Sequence, residues 1–226
     1  MNNLQIIIDV KSKGIESAYV YGVPFDIGKE ALENQGYRII SLQESAMLRI
    51  QEGRDALDRC FDGWMQEGAI YVPNKGAFLT KKSPIMVNAK EATECNRNYN
   101  NFYLTSRQVK EALSDSVQVY RRPANKLVEK TNAVGIYKRS IPVNEFGENR
   151  IARYAFGEIA KPYGEFLSKA GIKEMLVVFI DKNYTNSQDK AFATQILWNH
   201  HQLSSWGVQI DLHCPFVKMR GLKKLI

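Results

Sequence analysis

Cysteine, histidine and long apolar runs are all scarce in this chain, and each scarcity closes off a class of protein. The three cysteines, Cys60, Cys95 and Cys214, are odd in number and unpatterned, which is no disulfide framework and fits a reducing compartment. The three histidines, His200, His201 and His213, with Cys214 beside the last, make a poor zinc site. Sequence neighbours diverge by roughly 100° on a helix and point to opposite faces on a strand. The longest apolar stretches, around Gln5–Ile8 and Met175–Ile180, fall far short of the roughly 20 residues a membrane helix needs. The opening MNNLQIIIDVKSKG has neither the basic start nor the small-residue cleavage site of a secretory signal. A cytoplasmic protein with no membrane partner is therefore expected. Cys-x-x-Cys pairs, the dinucleotide glycine fingerprint, the P-loop and the hydrolase nucleophile elbow are all missing, so the strongest motif classes give no lead.

What is present is enough to build a core. The chain has 226 residues, 44% of them hydrophobic and 11% aromatic, a length and composition of ordinary globular domains and not of long disorder. The net charge of +7 is unevenly spread. Acids and bases balance over residues 1–113, and the whole excess falls in residues 114–226. Its densest parts are residues 121–161 and the final CPFVKMRGLKKLI. A basic half fits a phosphate-rich partner and equally a solvated, solubilising surface.

Along the chain, Gln5–Val10 reads as a buried strand of β-branched residues and Ala18–Val23 as its antiparallel partner. A short helix over 27–35 and a strand at 37–40 follow. Ser41 and Glu44 have the spacing of a capping box and open a helix to about Ile50. The apolar spacing resumes from Ala56 to Trp64. Short β-prone pieces at 70–72, 77–80 and 85–87 around Pro73–Gly76 predict a small β-meander. The polar stretch 88–100 reads as a long loop and a possible lobe boundary. Beyond it come a helix capped at Thr105 or Ser106, a strand at 117–120, a helix from Asn144 and another from Pro162 to Lys169. The segment EMLVVFID (174–181) has a central-strand pattern. A helix to about Ser205 and a strand at 208–212 would complete a β-α-β crossover with a parallel pair. The expected fold is α/β: a mixed, partly parallel sheet flanked by helices, with a β-meander excursion around 65–90, in a single domain.

Two strand-end carboxylates are candidate catalytic and metal-binding residues. Asp181 closes the most hydrophobic strand and faces the polar loop DKNYTNS, where Asn183 and Thr185 alternate oxygen-bearing side chains, as a cation or phosphate loop does. Over about five residues this string resembles the first motif of the haloacid dehalogenase-like phosphatases, with Asn183 where that family has its acid–base aspartate. Asp9 stands at the end of the first strand, and a strand-end carboxylate followed by an antiparallel second strand resembles the opening of a ribonuclease H-like nuclease. The resemblance implies carboxylates on neighbouring strands holding Mg²⁺ or Mn²⁺, which activates water.

Arg121, Arg122, Arg150 and Arg153 are the candidate substrate contacts, as guanidinium groups suited to phosphate oxygens. Glu145 and Glu148 precede Arg150 and Arg153 in an order that also suits a helix dipole. The leading functional expectation is binding of DNA, RNA, a nucleotide or another phosphorylated molecule through the basic C-terminal half. Metal-dependent phosphoester hydrolysis at Asp9 and Asp181 is a subset of it. The alternative is a non-catalytic interaction protein with a symmetric self-interface.

Overall fold

The computed structural model describes residues 5–12, 15–53, 63–120, 137–179, 189–199, 205–209 and 218–223. Its twelve described strands form one mixed sheet in the order β1-β2-β12-β4-β10-β11-β9-β8. β1 (Gln5–Ser12) and β2 (Ile15–Tyr21) are the antiparallel hairpin expected from their apolar patterns. β12 (Lys218–Lys223) lies between β2 and β4 (Gly63–Val72), antiparallel to the first and parallel to the second. The short β3 (Tyr37–Ile39) also pairs with β12. β10 (Phe192–Asn199) is antiparallel to both β4 and β11 (Ser205–Gln209). β11 runs parallel to β9 (Glu174–Phe179), and β8 (Tyr137–Pro142) ends the row antiparallel to β9. The fold is thus a mixed, partly parallel sheet flanked by helices.

β4 is covered on both faces, and its alternating side chains sort the interior into two cores. Met65, Ala69 and Tyr71 pack with α2 (Leu42–Glu52), α6 (Arg150–Phe156) and α7 (Ala160–Lys169). Trp64, Ile70 and Val72 face the other way, toward α1 (Phe25–Asn34), α3 (Pro84–Val87), α4 (Ala89–Arg97) and α5 (Ser106–Leu113). On the first face Phe146, Phe156 and Tyr163 stack around α7. Gly164 makes that approach possible: a Cβ there would lie 2.3 Å from the Val143 carbonyl oxygen.

The excursion from the sheet is the hairpin of β4 with β5 (Gly76–Thr80), extended by β7 (Ser116–Tyr120) on β5. Its expected third strand at 85–87 is α3 instead. Ser83 accepts the Met86 amide at its side-chain oxygen and Pro84 takes the first helical position, both of which favour a helix start. The polar stretch 88–100, expected to be a loop, contains α4, anchored by buried Ala92 and Thr93 and followed by the short β6 (Phe102–Tyr103), which pairs with β10. The first of the two helices expected here, from Asn144, is shortened: a 3₁₀ turn (Val143–Glu145) precedes α6, and Gly157 at φ +58° ends it, while the second, expected from Pro162, is α7.

The largest departure is residues 192–199, expected to be helical and found as the strand β10. β9 and β11 are parallel as expected, but a strand lies in the connection between them. Ala193, Gln195 and Leu197 are tolerated in helices, yet here Phe192–Ile196 is buried between β4 and β11. Gln195 makes this placement feasible: its amide donates to the carbonyls of Met65 and Glu67 and accepts from the Ser83 hydroxyl at 2.8 Å.

Candidate binding surface

α6 begins after Asn149, whose side chain accepts the amides of Ile151 and Ala152 at 3.0 and 3.2 Å. Ile151, Ala152, Ala155 and Phe156 are buried, so Arg150 and Arg153, three apart, share the exposed side of the helix. These two expected contacts are brought together by the structure. They line an open groove of about 750 Å³ with Ser116 and Val117 of β7, Tyr154, and Lys161 of α7. Glu148 and Glu158 also stand on its rim.

A second groove of about 650 Å³ lies between α3 and α5, lined by Lys81, Lys82, Met86, Val87, Arg107 and Ala112. The two meet at one contact. The Lys81 amide donates to the Tyr154 hydroxyl at 2.9 Å, and the Lys81 ammonium stands 5.2 Å from the centre of the Tyr154 ring. The Tyr154 hydroxyl donates in turn to the Asp115 carbonyl at 2.6 Å. Burial, reinforced by Asp115, pushes this phenol well above the usual tyrosine range, so it stays protonated and acts as a fixed donor. Lys82 donates to Ser114 at 3.3 Å on the same seam.

One residue from Gln66, which lines the second groove, Glu67 is fully enclosed. Its carboxylate accepts the Leu42 amide at 2.9 Å, at the first turn of α2. Burial pushes its carboxyl up to about 7, against the opposing pull of the Leu42 amide and of Lys81. Beside it, burial works against the charge of Glu44, but hydrogen bonds from Arg38 and Ser41 hold that carboxyl below its ordinary value.

The other expected residues are not joined to this surface. Asp9 does not end its strand: β1 continues to Ser12, and Asp9 falls at a register shift between Ile7 and Val10. β2, β12, β4, β10 and β11 stand between β1 and β9 in the strand order, so the neighbouring-strand arrangement on which the metal pair depended is absent. Asp181, Asn183, Thr185, Arg121 and Arg122 lie outside the described residues, as do His200, His201, His213 and Cys214. Among the described residues no group of three His, Cys, Asp or Glu side chains is placed to hold a metal ion, and no helix is long and apolar enough to cross a membrane. Lys81, Lys82 and Lys161 escaped sequence reasoning. The Lys81-Lys82 doublet in a turn was the available signal, but nothing local ties it to residues 150–161.

No protein-family model and no curated protein sequence matches the chain. The fold is similar to a solved structure described as the accommodation of massive sequence variation in Nanoarchaeota by the C-type lectin fold. The TM-score is 0.61 at 10% identity, covering 94% of this chain and 100% of that one. At that identity the likeness establishes the fold alone.

Proposed function

We propose that this chain is a non-catalytic recognition protein, a C-type lectin fold that holds partner-contacting segments on a fixed sheet. The observation that carries the reading is the likeness along nearly the whole of both chains to a structure described as accommodating massive sequence variation. A fold with that property separates what stabilises it from what touches a partner. The same division supports the reading here. β4 lies between neighbours, as does β10, and the apolar side chains of Trp64, Met65, Ala69–Val72, Phe192, Ala193 and Ile196 are committed to the two cores. The chain leaves the parallel neighbours β9 and β11 at the same end of the sheet, where Gly207 is opposite Val178. The sequences that follow are DKNYTNSQ from Asp181, rich in hydrogen-bonding side chains, and IDLHCPFV from Ile210, and each brings one aromatic residue, Tyr184 and Phe216, of a kind suited to recognition. On this reading Asn183 and Thr185 are contact residues. Because β1 and β9 are not neighbours in the strand order, this reading assigns no metal pair to Asp9 and Asp181, and Mg²⁺ and Mn²⁺ have no part in it.

The test is simultaneous randomisation of Lys182, Asn183, Tyr184, Thr185 and Asn186 in the full chain. Most members of the pool are expected to unfold cooperatively within about 5 °C of the parent, and selection on an immobilised protein is expected to enrich new binders. A pool that mostly fails to fold, or one that folds but yields no binder, removes the proposal.

A further inference from the structure

We propose that the two grooves joined at the Lys81–Tyr154 contact form one docking track for an acidic peptide segment that carries an apolar side chain. This goes beyond the recognition surface proposed above and uses different elements, so either can fail without the other.

The argument begins with charge. Arg150, Arg153 and Lys161 line the first groove, and Lys81 and Lys82 the second. None of the five takes part in an ion pair among the described residues. Arg107 differs, since Glu111 engages it at 2.9 Å. Cations gathered along a concave path without acidic partners of their own attract an acidic ligand. Glu148 and Glu158 sit among the first set, so a partner must place its acids opposite the arginines and Lys161 and not simply carry negative charge. That makes the track selective for register.

The second feature is apolar. In the second groove, Val87 is 81% exposed, beside half-buried Met86 and the buried Pro84 and Ala112. A branched side chain left so open at the end of α3, next to an adaptable thioether, is a seat for one apolar anchor. An apolar floor with lysines at its edge matches a peptide in which acids flank a hydrophobic residue.

The same geometry argues against single-stranded nucleic acid, the partner expected from charge alone. Such strands depend on aromatic faces on which bases stack. Among the described residues, Tyr154 is the aromatic side chain lining the two grooves, and its ring carries the Lys81 ammonium. The phosphates would find cations, but among the described residues the bases would find no free aromatic platform.

Fluorescence anisotropy of the full chain with three labelled probes tests the proposal: a short peptide alternating Glu with Leu, oligo-Glu of the same length, and oligo-dT. The Glu–Leu peptide is expected to bind most tightly and to weaken with added salt. Val87→Asp, and separately Lys81→Glu combined with Arg153→Glu, are each expected to raise its Kd by about tenfold or more, with the thermal midpoint unchanged. Absence of Glu–Leu binding at low salt overturns the proposal. So does binding indifferent to both variants, or oligo-Glu binding as tightly as the Glu–Leu peptide. Oligo-dT binding more tightly than the peptide and responding only to the charge reversals would make the track a nucleic-acid site instead.

Discussion

The ions inside this protein and the ions in its grooves are arranged on opposite principles. Among the described residues, the buried arginines are held by fixed partners. Arg220 on β12 meets Glu52 at 2.8 Å, with both side chains under 10% exposed. It also donates to Ser17 and stands 5.1 Å from the centre of the Tyr19 ring. Arg49, fully buried, donates to the Tyr163 hydroxyl at 3.0 Å. These contacts tie α2 to β12 and to α7, and removing one partner would strand the other in a dry setting. In the grooves, Arg150, Arg153, Lys161 and Lys81 are exposed and their charges are left unmatched by acids. Water solvates them at little cost, so they contribute little to folding and are free for a partner. Position alone therefore separates charges that hold the fold from charges that can be spent on recognition.

That contrast is open to breakage from the interior outward. Arg220→Ala leaves Glu52 buried without its cation, and chemical denaturation should show a loss of about 3–5 kcal/mol. Next is Glu67, a buried carboxylate whose desolvation outweighs the compensation from its contacts. A carboxyl raised by folding holds its proton more tightly folded than unfolded. Its contribution is intact below the unfolded value of 4.5 and is lost as pH rises toward about 7. Denaturation across this window should show a decline on the order of 3 kcal/mol from this group. Glu67→Gln, which keeps an acceptor for the Leu42 amide, should flatten the profile and make the variant the more stable protein at pH 8. Arg150→Glu with Arg153→Glu should change stability by no more than about 0.5 kcal/mol, because the surface there is solvated. A large loss would mean that the groove cations belong with the structural ones. Smallest of all, Lys29→Ala removes an exposed i,i+4 pair with Glu33 and should cost roughly 0.3–0.5 kcal/mol, fading with salt.

How much of this was legible depended on whether the deciding contact was local. The capping boxes at Ser41 with Glu44 and at Thr105 with Gln108 announce α2 and α5 in a few residues, and both helices start there. The alternation and β-branching of residues 5–10 and 174–179 likewise announce strands. The strand β10 was hidden because Ala193, Gln195 and Leu197 are good helix formers by local propensity. Its fate is settled by β4, more than a hundred residues earlier, whose carbonyls receive the Gln195 amide. α4 was hidden for the opposite reason. The asparagines in and around it and its charges read as loop, while Ala92 and Thr93 carry its burial. At the grooves, the spacing of Arg150 and Arg153 put both on one helix face in the sequence itself. Their meeting with Lys161 and, through Tyr154, with Lys81 comes from packing of α6 against β7 and the β5 hairpin, which no local pattern encodes.

The position of β12 has a consequence for how the molecule is made. Its residues pair on one side with Val20 and Tyr19 and on the other with Trp64, while Gly221 lies opposite Ile39. A chain emerging from the ribosome therefore completes β2, β3 and β4 with the slot between them vacant. No later segment but residues 218–223 closes it. Until then two strand edges and the apolar residues around Met219 and Leu222 have no cover, and the nascent protein is at its most adhesive. Synthesis through residues 218–223, and not the rate of forming any one hairpin, sets when this slot is filled.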